Sequence, residues 1–248
     1  MNLSLIAVFL SGIAAGFINV LAGGGSLITL PILVFAGLPM PVANGTNRVS
    51  ILCQNVVATS KFHRLGVLSL KEALILAIPT TAGSVAGAFL AVELDPKVLQ
   101  IVIATLISIM AFFLVFRPSM WENERQKKLP KALVILIFFA IGVYGGFVQA
   151  GVGFLFLWVL SGVVGHDLIH SNALKVTVVL VYTAVSLAIF SAKGLVDIPV
   201  GLTLASGSMI GGYVGARFSV ARGNRWVRII LACVVTISAF KMLLQALH

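Results

Sequence analysis

The stretch AAGFINVLAGGGSLITLPILVF, residues 14–35, places three consecutive glycines between two apolar runs. The first run, Leu3–Leu21, has nearly the length of a membrane-crossing helix, which needs about 20 residues. The second run, Leu27–Gly37, would reach only about 16 Å as a helix. Because glycine is a poor helix former, Gly23-Gly24-Gly25 predicts two helices joined by a turn inside an apolar environment.

The composition of the whole chain agrees with a membrane environment. Hydrophobic residues make up 60% and charged residues only 10% of the 248 residues, and the mean hydropathy is +1.12. Ordinary soluble domains carry about 25% charged residues. We therefore predict an all-α polytopic membrane protein whose long apolar runs are Leu3–Leu21, Ala43–Phe62, Ala73–Val92, Val98–Phe116, Ala132–Gln149, Asn172–Ser191, Ile198–Phe218 and Val227–Leu247.

The net charge of +10 does not indicate a nucleic-acid partner, because the basic residues are spread between apolar runs and not gathered on one face. The two cysteines, Cys53 and Cys233, lie far apart in apolar runs. They fit neither a disulfide framework nor a metal site, so no metal or cofactor is expected.

The chain repeats itself. Gly16-Phe17-Ile18-Asn19 returns as Gly146-Phe147-Val148-Gln149, an offset of 130, and beyond the glycine clusters a constant offset of 128 pairs Asn44 with Asn172. A second break, Gly151-Val152-Gly153, precedes another short apolar run, Phe154–Val164. Such internal duplication is typical of secondary transporters. We expect a first membrane repeat at 1–116, a cytoplasmic linker at 117–131 and a second membrane repeat at 132–248.

The charges of the loops predict how the repeats are oriented. The loop at 61–71 contains Lys61, Arg64 and Lys71, and this positive charge predicts that it lies in the cytoplasm together with the linker at 117–131. In the second half the basic residues follow the next helix instead, at 217–228. The two repeats are therefore expected to be inverted, each with a Gly-broken helical hairpin plus three transmembrane helices, and with both termini outside. Parallel halves of four crossings are the alternative.

Polar residues gather beside the two breaks. Non-helical backbone at membrane depth is tolerated only where it is buried in protein or lines a cavity, and the amides that begin a half-helix favour an anion. On the next helix, Asn44, Asn47 and Arg48 share one face, which Asn55 continues. The predicted substrate-binding residues are Asn19, Gly24, Gly25, Ser26, Asn44, Asn47, Arg48, Gln149, Gly151, Gly153, Asn172 and Lys175. For Arg48 and Lys175, snorkelling to the lipid headgroups is the alternative.

No carboxylate is expected at the bilayer centre, where a cation or proton carrier would need one. The seven acidic residues fall at helix ends or in loops: Glu72, Glu93, Asp95, Glu122, Glu124, Asp167 and Asp197. His166, Asp167 and His170 are the candidates for proton coupling. An intramembrane enzyme is disfavoured because Ser26 and Ser50 have no histidine near them in sequence, so no catalytic residue is predicted.

The order of these features resembles the TauE/SafE family of sulfite exporters, also called 4-toluene sulfonate uptake permeases. The resemblance lies in Ala15-Gly16-Phe17-Ile18-Asn19, Gly23-Gly24-Gly25-Ser26, the half-helix with Pro31, and Ala43-Asn44-Gly45-Thr46-Asn47-Arg48. Gly145–Gly153 with Ser171-Asn172-Ala173 repeats it in weaker form, without a counterpart of Pro31. The resemblance implies transport of small sulfur-containing or organic anions across the inner membrane.

The resulting hypothesis is an inner-membrane secondary transporter or facilitator of small anions, either sulfite or an organosulfonate. It would work by alternating access at the interface of the two repeats. The alternatives are a carrier for another small organic anion or metabolite, and a non-transporting membrane subunit. The sequence leaves open the direction of transport, the coupling ion and whether the chain forms a homodimer.

Overall fold

The computed structural model describes residues 3–95, 97–99, 101, 105 and 130–246, and this part of the chain contains helices and no strand. The all-α prediction is thus confirmed for the described residues. The helices are α1 (Leu3–Leu21), α2 (Ser26–Phe35), α3 (Met40–Arg64), α4 (Leu70–Glu93), α5 (Lys131–Phe147), α6 (Val152–Leu157, continued by a π-helical stretch, Trp158–Val164), α7 (Leu168–Ala192) and α8 (Ile198–Ala246).

Two of the described helices, α4 and α7, are long and apolar enough to cross a membrane by length and composition. The shorter apolar helices are α1, α2, α5 and the combined stretch 152–164. The predicted run Ile198–Phe218 and the described part of Val227–Leu247 lie on two helical segments of α8, which meet at a kink at Gly223, where φ is 77°. Most of the predicted run Val98–Phe116 and of the linker 117–131 lies outside the described residues.

Both predicted helix breaks are confirmed. Helix α1 ends at Leu21 and α2 begins at Ser26, and between them Gly23 adopts a φ of 87°. Helix α5 ends at Phe147 and α6 begins at Val152; here Gln149 and Gly151 adopt φ values of 63° and 73°. Glycine takes such values without strain, whereas Gln149 needs support from its surroundings.

The helix boundaries correct the repeat register predicted for the first hairpin. The ends of α1 and α5 are 126 residues apart, not 130, whereas α3 and α7 begin 128 residues apart as predicted. Asn19 consequently lies inside the last turn of α1, while Gln149 lies beyond the end of α5. The matching segments 16–19 and 146–149 therefore differ by about one helical turn in their position relative to the helix ends.

Glycines allow the first helix of each half to pack closely on the last described helix of the other half. Gly12 and Gly16 of α1 lie against the carbonyl oxygens of Leu204 and Ser208. Where the two helices touch, the residue numbers of α1 and α8 increase in the same direction, so the helices run parallel. Gly83 and Gly87 of α4 lie in the same way against the carbonyl oxygens of Phe139 and Val143 of α5.

Helices α3 and α7 lie between these pairs. Helix α3 packs on α8, where the Ser50 and Ser208 hydroxyls are hydrogen-bonded, and α7 packs on α4. Helices α3 and α7 also contact each other in antiparallel orientation, because Arg48 reaches Ser186 while Thr59 lies 3.3 Å from Thr177. Each hairpin turn therefore meets side chains of both halves.

A methyl group added at Gly83 should separate α4 from α5. The Cβ of Gly83→Ala would overlap the backbone oxygen of Phe139, and backbone cannot yield as a side chain can. We expect the free energy of unfolding to fall by about 1–3 kcal/mol, the usual effect of overpacking. Thermal unfolding in detergent measures this, with Ala86→Val on the exposed face of the same helix as the control. Equal melting temperatures for both variants would contradict the close contact.

Candidate functional site

The C-terminal end of α1 is capped by a lysine from the second half. Nζ of Lys175 donates to the carbonyl oxygens of Asn19 and Val20, both at 2.9 Å, and to Oδ1 of Asn172 at 2.6 Å. The amide of Asn172 in turn donates to the carbonyl oxygen of Leu21 at 3.2 Å. A helix leaves its last carbonyl groups without partners, and a positive charge there also offsets the negative end of the helix dipole.

The C-terminal end of α5 is capped in a corresponding way by an arginine from the first half. The Arg48 guanidinium donates to the carbonyl oxygens of Gly145 at 3.2 Å and Gly146 at 2.5 Å. Nδ2 of Asn44 donates to the carbonyl oxygen of Phe147 at 2.8 Å. The pairs Asn44 with Arg48 and Asn172 with Lys175 thus hold the broken helix of the opposite half.

Side chains complete the surroundings of the Arg48 guanidinium. It donates to Oγ of Ser186 at 2.9 Å and to Oε1 of Gln149 at 3.2 Å, and it lies 4.3 Å from the centre of the Phe190 ring. Arg48 is completely buried and Lys175 is 2% exposed. The alternative that these two cations snorkel to the headgroups is therefore wrong.

A small cavity, lined by both polar and aliphatic residues, lies where the two hairpin turns meet. Gly23 and Gly153 touch backbone to backbone, so a side chain at either position would overlap the other. The cavity beside them has a volume of about 10 Å³, room for about one water molecule. It is lined by Asn19, Ser26, Ile51, Asn55, Gln149, Val152, Gly153, Lys175, Val176 and Val179.

A second cavity of the same volume adjoins the first on the side of α8. The two share Asn19, Ser26 and Ile51. Its other lining residues are Ala15, Gly25, Thr29, Asn47, Ser50, Gln54 and Ser208. Asn47 connects α3 to the start of α2, since it donates to Oγ of Ser26 at 3.0 Å and accepts from Oγ1 of Thr29 at 2.7 Å.

The predicted site residues therefore fall into two groups. Those that line the cavities are Asn19, Gly25, Ser26, Asn47, Gln149, Gly153 and Lys175. Those that line neither are Gly24, Asn44, Arg48, Gly151 and Asn172. The predicted site omits Ser50, Gln54 and Asn55, although they lie near its other members on the polar side of α3. No pattern in the sequence indicated Ser208, which also lines a cavity.

The candidates for proton coupling lie apart from both cavities. Nε2 of His166 is 2.6 Å from Oε1 of Glu72, and Nδ1 of His170 pairs with the Asp167 carboxylate. Asp167 caps the start of α7 by accepting from the backbone amides of Ile169 at 2.9 Å and His170 at 3.1 Å. Partial burial alone would raise the pKa of Asp167, but the hydrogen bonds and charge of His170 outweigh it and hold the pKa below its ordinary value.

The described residues contain no cluster of three or more His, Cys, Asp or Glu side chains that could hold a metal ion. Their only ion pairs are those made by His166 and His170. Thus neither Arg48 nor Lys175 has a carboxylate partner among the described residues. With both side chains protonated, such a centre carries a positive charge.

The all-helical fold and the apolar composition agree with a helical membrane protein. The family model described as "Sulfite exporter TauE/SafE" matches residues 8–242, and the chain belongs to this family. A probable membrane transporter protein, ORF9, of Sinorhizobium sp is 29% identical over 98% of this chain and 94% of its own length. Probable membrane transporter protein YfcA of Escherichia coli K12 is 27% identical over 97% and 90%. No solved structure matches this chain significantly.

The two buried cations should stabilise the protein. In Arg48→Met and Lys175→Met, helix-end carbonyls lose their donors, and a buried unpaired polar group costs about 1–3 kcal/mol. We expect each variant to unfold in detergent at a clearly lower temperature than the wild-type protein. Lys193→Met, which removes an exposed charge at the end of α7, is the control. Melting temperatures like that of the control would show that the caps contribute nothing.

The cap made by Asp167 gives a pH-dependent contribution to stability. Asp167→Ala should lower the free energy of unfolding by about 1 kcal/mol at neutral pH. Because the folded-state pKa of Asp167 is lowered, this contribution is complete above the ordinary pKa of a carboxyl group and is lost as the pH falls through the folded value. Thermal unfolding at several pH values measures the difference. Asp167→Asn is the control, because its side-chain oxygen can cap the helix at every pH. A difference between Asp167→Ala and the wild type that does not change with pH would contradict the assignment.

Proposed function

We propose that this protein carries small anions across the inner membrane, and that its substrate is sulfite or an organosulfonate. The observation that carries the proposal is the positive centre: Lys175 lines the cavity, Arg48 lies behind Gln149, and neither has a carboxylate partner among the described residues. The negative helix ends offset this charge only in part, since each corresponds to about half an elementary charge. An anion completes the charge balance of such a centre, whereas a cation would be repelled.

The substrate site, in this proposal, lies between the two hairpin turns. Asn19, Ser26, Gln149 and Lys175 face the substrate, with Gly25 and Asn47 at its edge. Asn44, Arg48 and Asn172 hold the broken helix ends in position. Gly24, Gly151 and Gly153 allow the backbone to turn and the two hairpins to touch.

We further propose that the two repeats, 1–116 and 132–248 with a cytoplasmic linker at 117–131, are inverted with respect to each other. The helix directions support this arrangement. Helices α1 and α3 both run parallel to α8, as expected if the first hairpin enters and leaves on one side. Helices α4 and α5 run parallel to each other, while α3 and α7 are antiparallel, which agrees with a second hairpin that enters from the opposite side.

The small size of the central cavity supports alternating access. A space of about 10 Å³ holds about one water molecule and is too small for sulfite. Binding therefore requires the helices around the two turns to separate on one side of the membrane at a time. The family description supports sulfite as the substrate, while the relatives are described only as probable membrane transporters.

The direct test is the current produced by purified protein in proteoliposomes on a solid-supported membrane. Sulfite, sulfate, sulfoacetate, taurine and acetate are applied in turn, with and without a pH gradient. We expect a saturable current with sulfite or a sulfonate. It should be lost in Lys175→Gln and retained in Lys193→Gln, which changes an exposed lysine directly after the same helix.

An electroneutral exchange would produce no current, so uptake of labelled sulfite is measured on the same vesicles. Absence of both current and uptake for every anion would contradict the proposal and favour the alternatives, a carrier of another metabolite or a non-transporting subunit. A pH gradient that changes the current would indicate coupling to protons. Equal activity of Lys175→Gln and the wild type would remove Lys175 from the site.

A further inference from the structure

We propose that the side-chain amide of Asn55 donates a hydrogen bond to an oxygen atom of the transported anion. This inference rests on the proposed function and adds a specificity-determining residue to it. Asn55 lies on α3, is 1% exposed and lines the central cavity. Its Nδ2 atom is buried and has no hydrogen-bond partner. A buried donor without a partner is costly, and a ligand that accepts from it recovers that cost.

A chain of amides fixes the direction in which Asn55 donates. Nδ2 of Asn19 donates to Oε1 of Gln54 at 3.3 Å, and Nε2 of Gln54 donates to Oδ1 of Asn55 at 3.3 Å. Along this chain, the nitrogen of each amide donates to the oxygen of the next one. Since the Asn55 oxygen is occupied, its nitrogen is the group left for the cavity. The chain ends on a donor, which is what an anion requires.

Lys175, Gln149 and Ser26, which also line the cavity, each have hydrogen-bond partners. Lys175 uses all three of its hydrogens on two carbonyl oxygens and Asn172. Gln149 donates to Oγ1 of Thr183 at 2.7 Å and accepts from Arg48, and Ser26 accepts from Asn47. An anion in the cavity would thus find Asn55 ready to donate, while Lys175 must first give up a carbonyl.

The chemical class of ligand follows from these groups. An unpartnered N–H beside a buried ammonium favours a ligand whose surface consists of acceptor oxygens, such as those of sulfite or of a sulfonate group. The cavity walls contributed by Ile51, Val152, Val176 and Val179 offer no hydrogen bond to the remainder of the ligand. The site therefore suits a compact oxyanion group.

The test compares sulfite transport by three variants at position 55 in proteoliposomes. Asn55→Ala removes the donor, and because a hydrogen bond to a charged group is worth about 1.5–3 kcal/mol, KM for sulfite should rise about ten- to a hundredfold. Asn55→Ser keeps a shorter donor and should recover part of this loss. Asn55→Asp places a carboxylate where the anion binds and should abolish transport.

Ser219→Ala serves as the matched control, because its hydroxyl is also buried and without a partner but lines neither cavity. Its KM should equal that of the wild type. Thermal unfolding of each variant, with and without sulfite, shows whether the protein is folded and whether the anion still stabilises it. If Asn55→Ala fails to fold, Asn55→Ser carries the comparison.

The outcomes separate this inference from the proposed function. An unchanged KM in folded Asn55→Ala or Asn55→Ser, or full activity in Asn55→Asp, overturns the role of Asn55 while anion transport by the wild type stands. A raised KM with the same maximal rate, partly restored by serine, supports it. If the wild type neither transports nor is stabilised by any anion, the proposed function and this inference both fail.

Discussion

The ends of α1 and α5 are helix C-termini that stop inside the protein, and the rest of the structure depends on satisfying them. Their carbonyl groups have no intrahelical partners, and in an apolar interior each unpaired one is costly. The chain meets this requirement with buried cations: Lys175 at the end of α1 and Arg48 at the end of α5. Each cation comes from the other half of the chain, so neither hairpin turn is complete without the opposite half.

This exchange also explains the glycines. Helix α1 packs along α8, and α5 packs along α4, at distances that only glycine permits at positions such as Gly16 and Gly83. The close packing brings the two turns together until Gly23 and Gly153 touch. The residual space beside that contact is the polar cavity. Small residues, broken helices and buried cations are thus parts of one arrangement.

Much of this could be predicted from the sequence, and what could not is instructive. The glycine clusters identified both helix breaks, and the polar stripe on α3 included Asn44, Asn47 and Arg48, which bond to the helix ends beside them. The sequence match pairs Asn19 with Gln149, but these residues lie about one helical turn apart relative to the ends of α1 and α5. Matching residues do not show where a helix ends, whereas the backbone does, at Gly23 and Gln149 with their positive φ. That Arg48 would cap the distant α5 could not be predicted, since this contact depends on how the two halves pack.

The caps also bear on how an anion could move the protein. One packed group of helices comprises α1, α3 and α8, and another comprises α4, α5 and α7. Lys175 belongs to the second group but binds the end of α1 in the first, and Arg48 bonds across in the opposite sense. Because Lys175 has no free hydrogen, an anion can bind it only by replacing the carbonyl oxygen of Asn19 or Val20, or the amide oxygen of Asn172. Replacing a carbonyl weakens a bond that holds the two groups together. In the proposed mechanism, substrate binding at Lys175 would therefore be coupled to the separation that the small cavity requires.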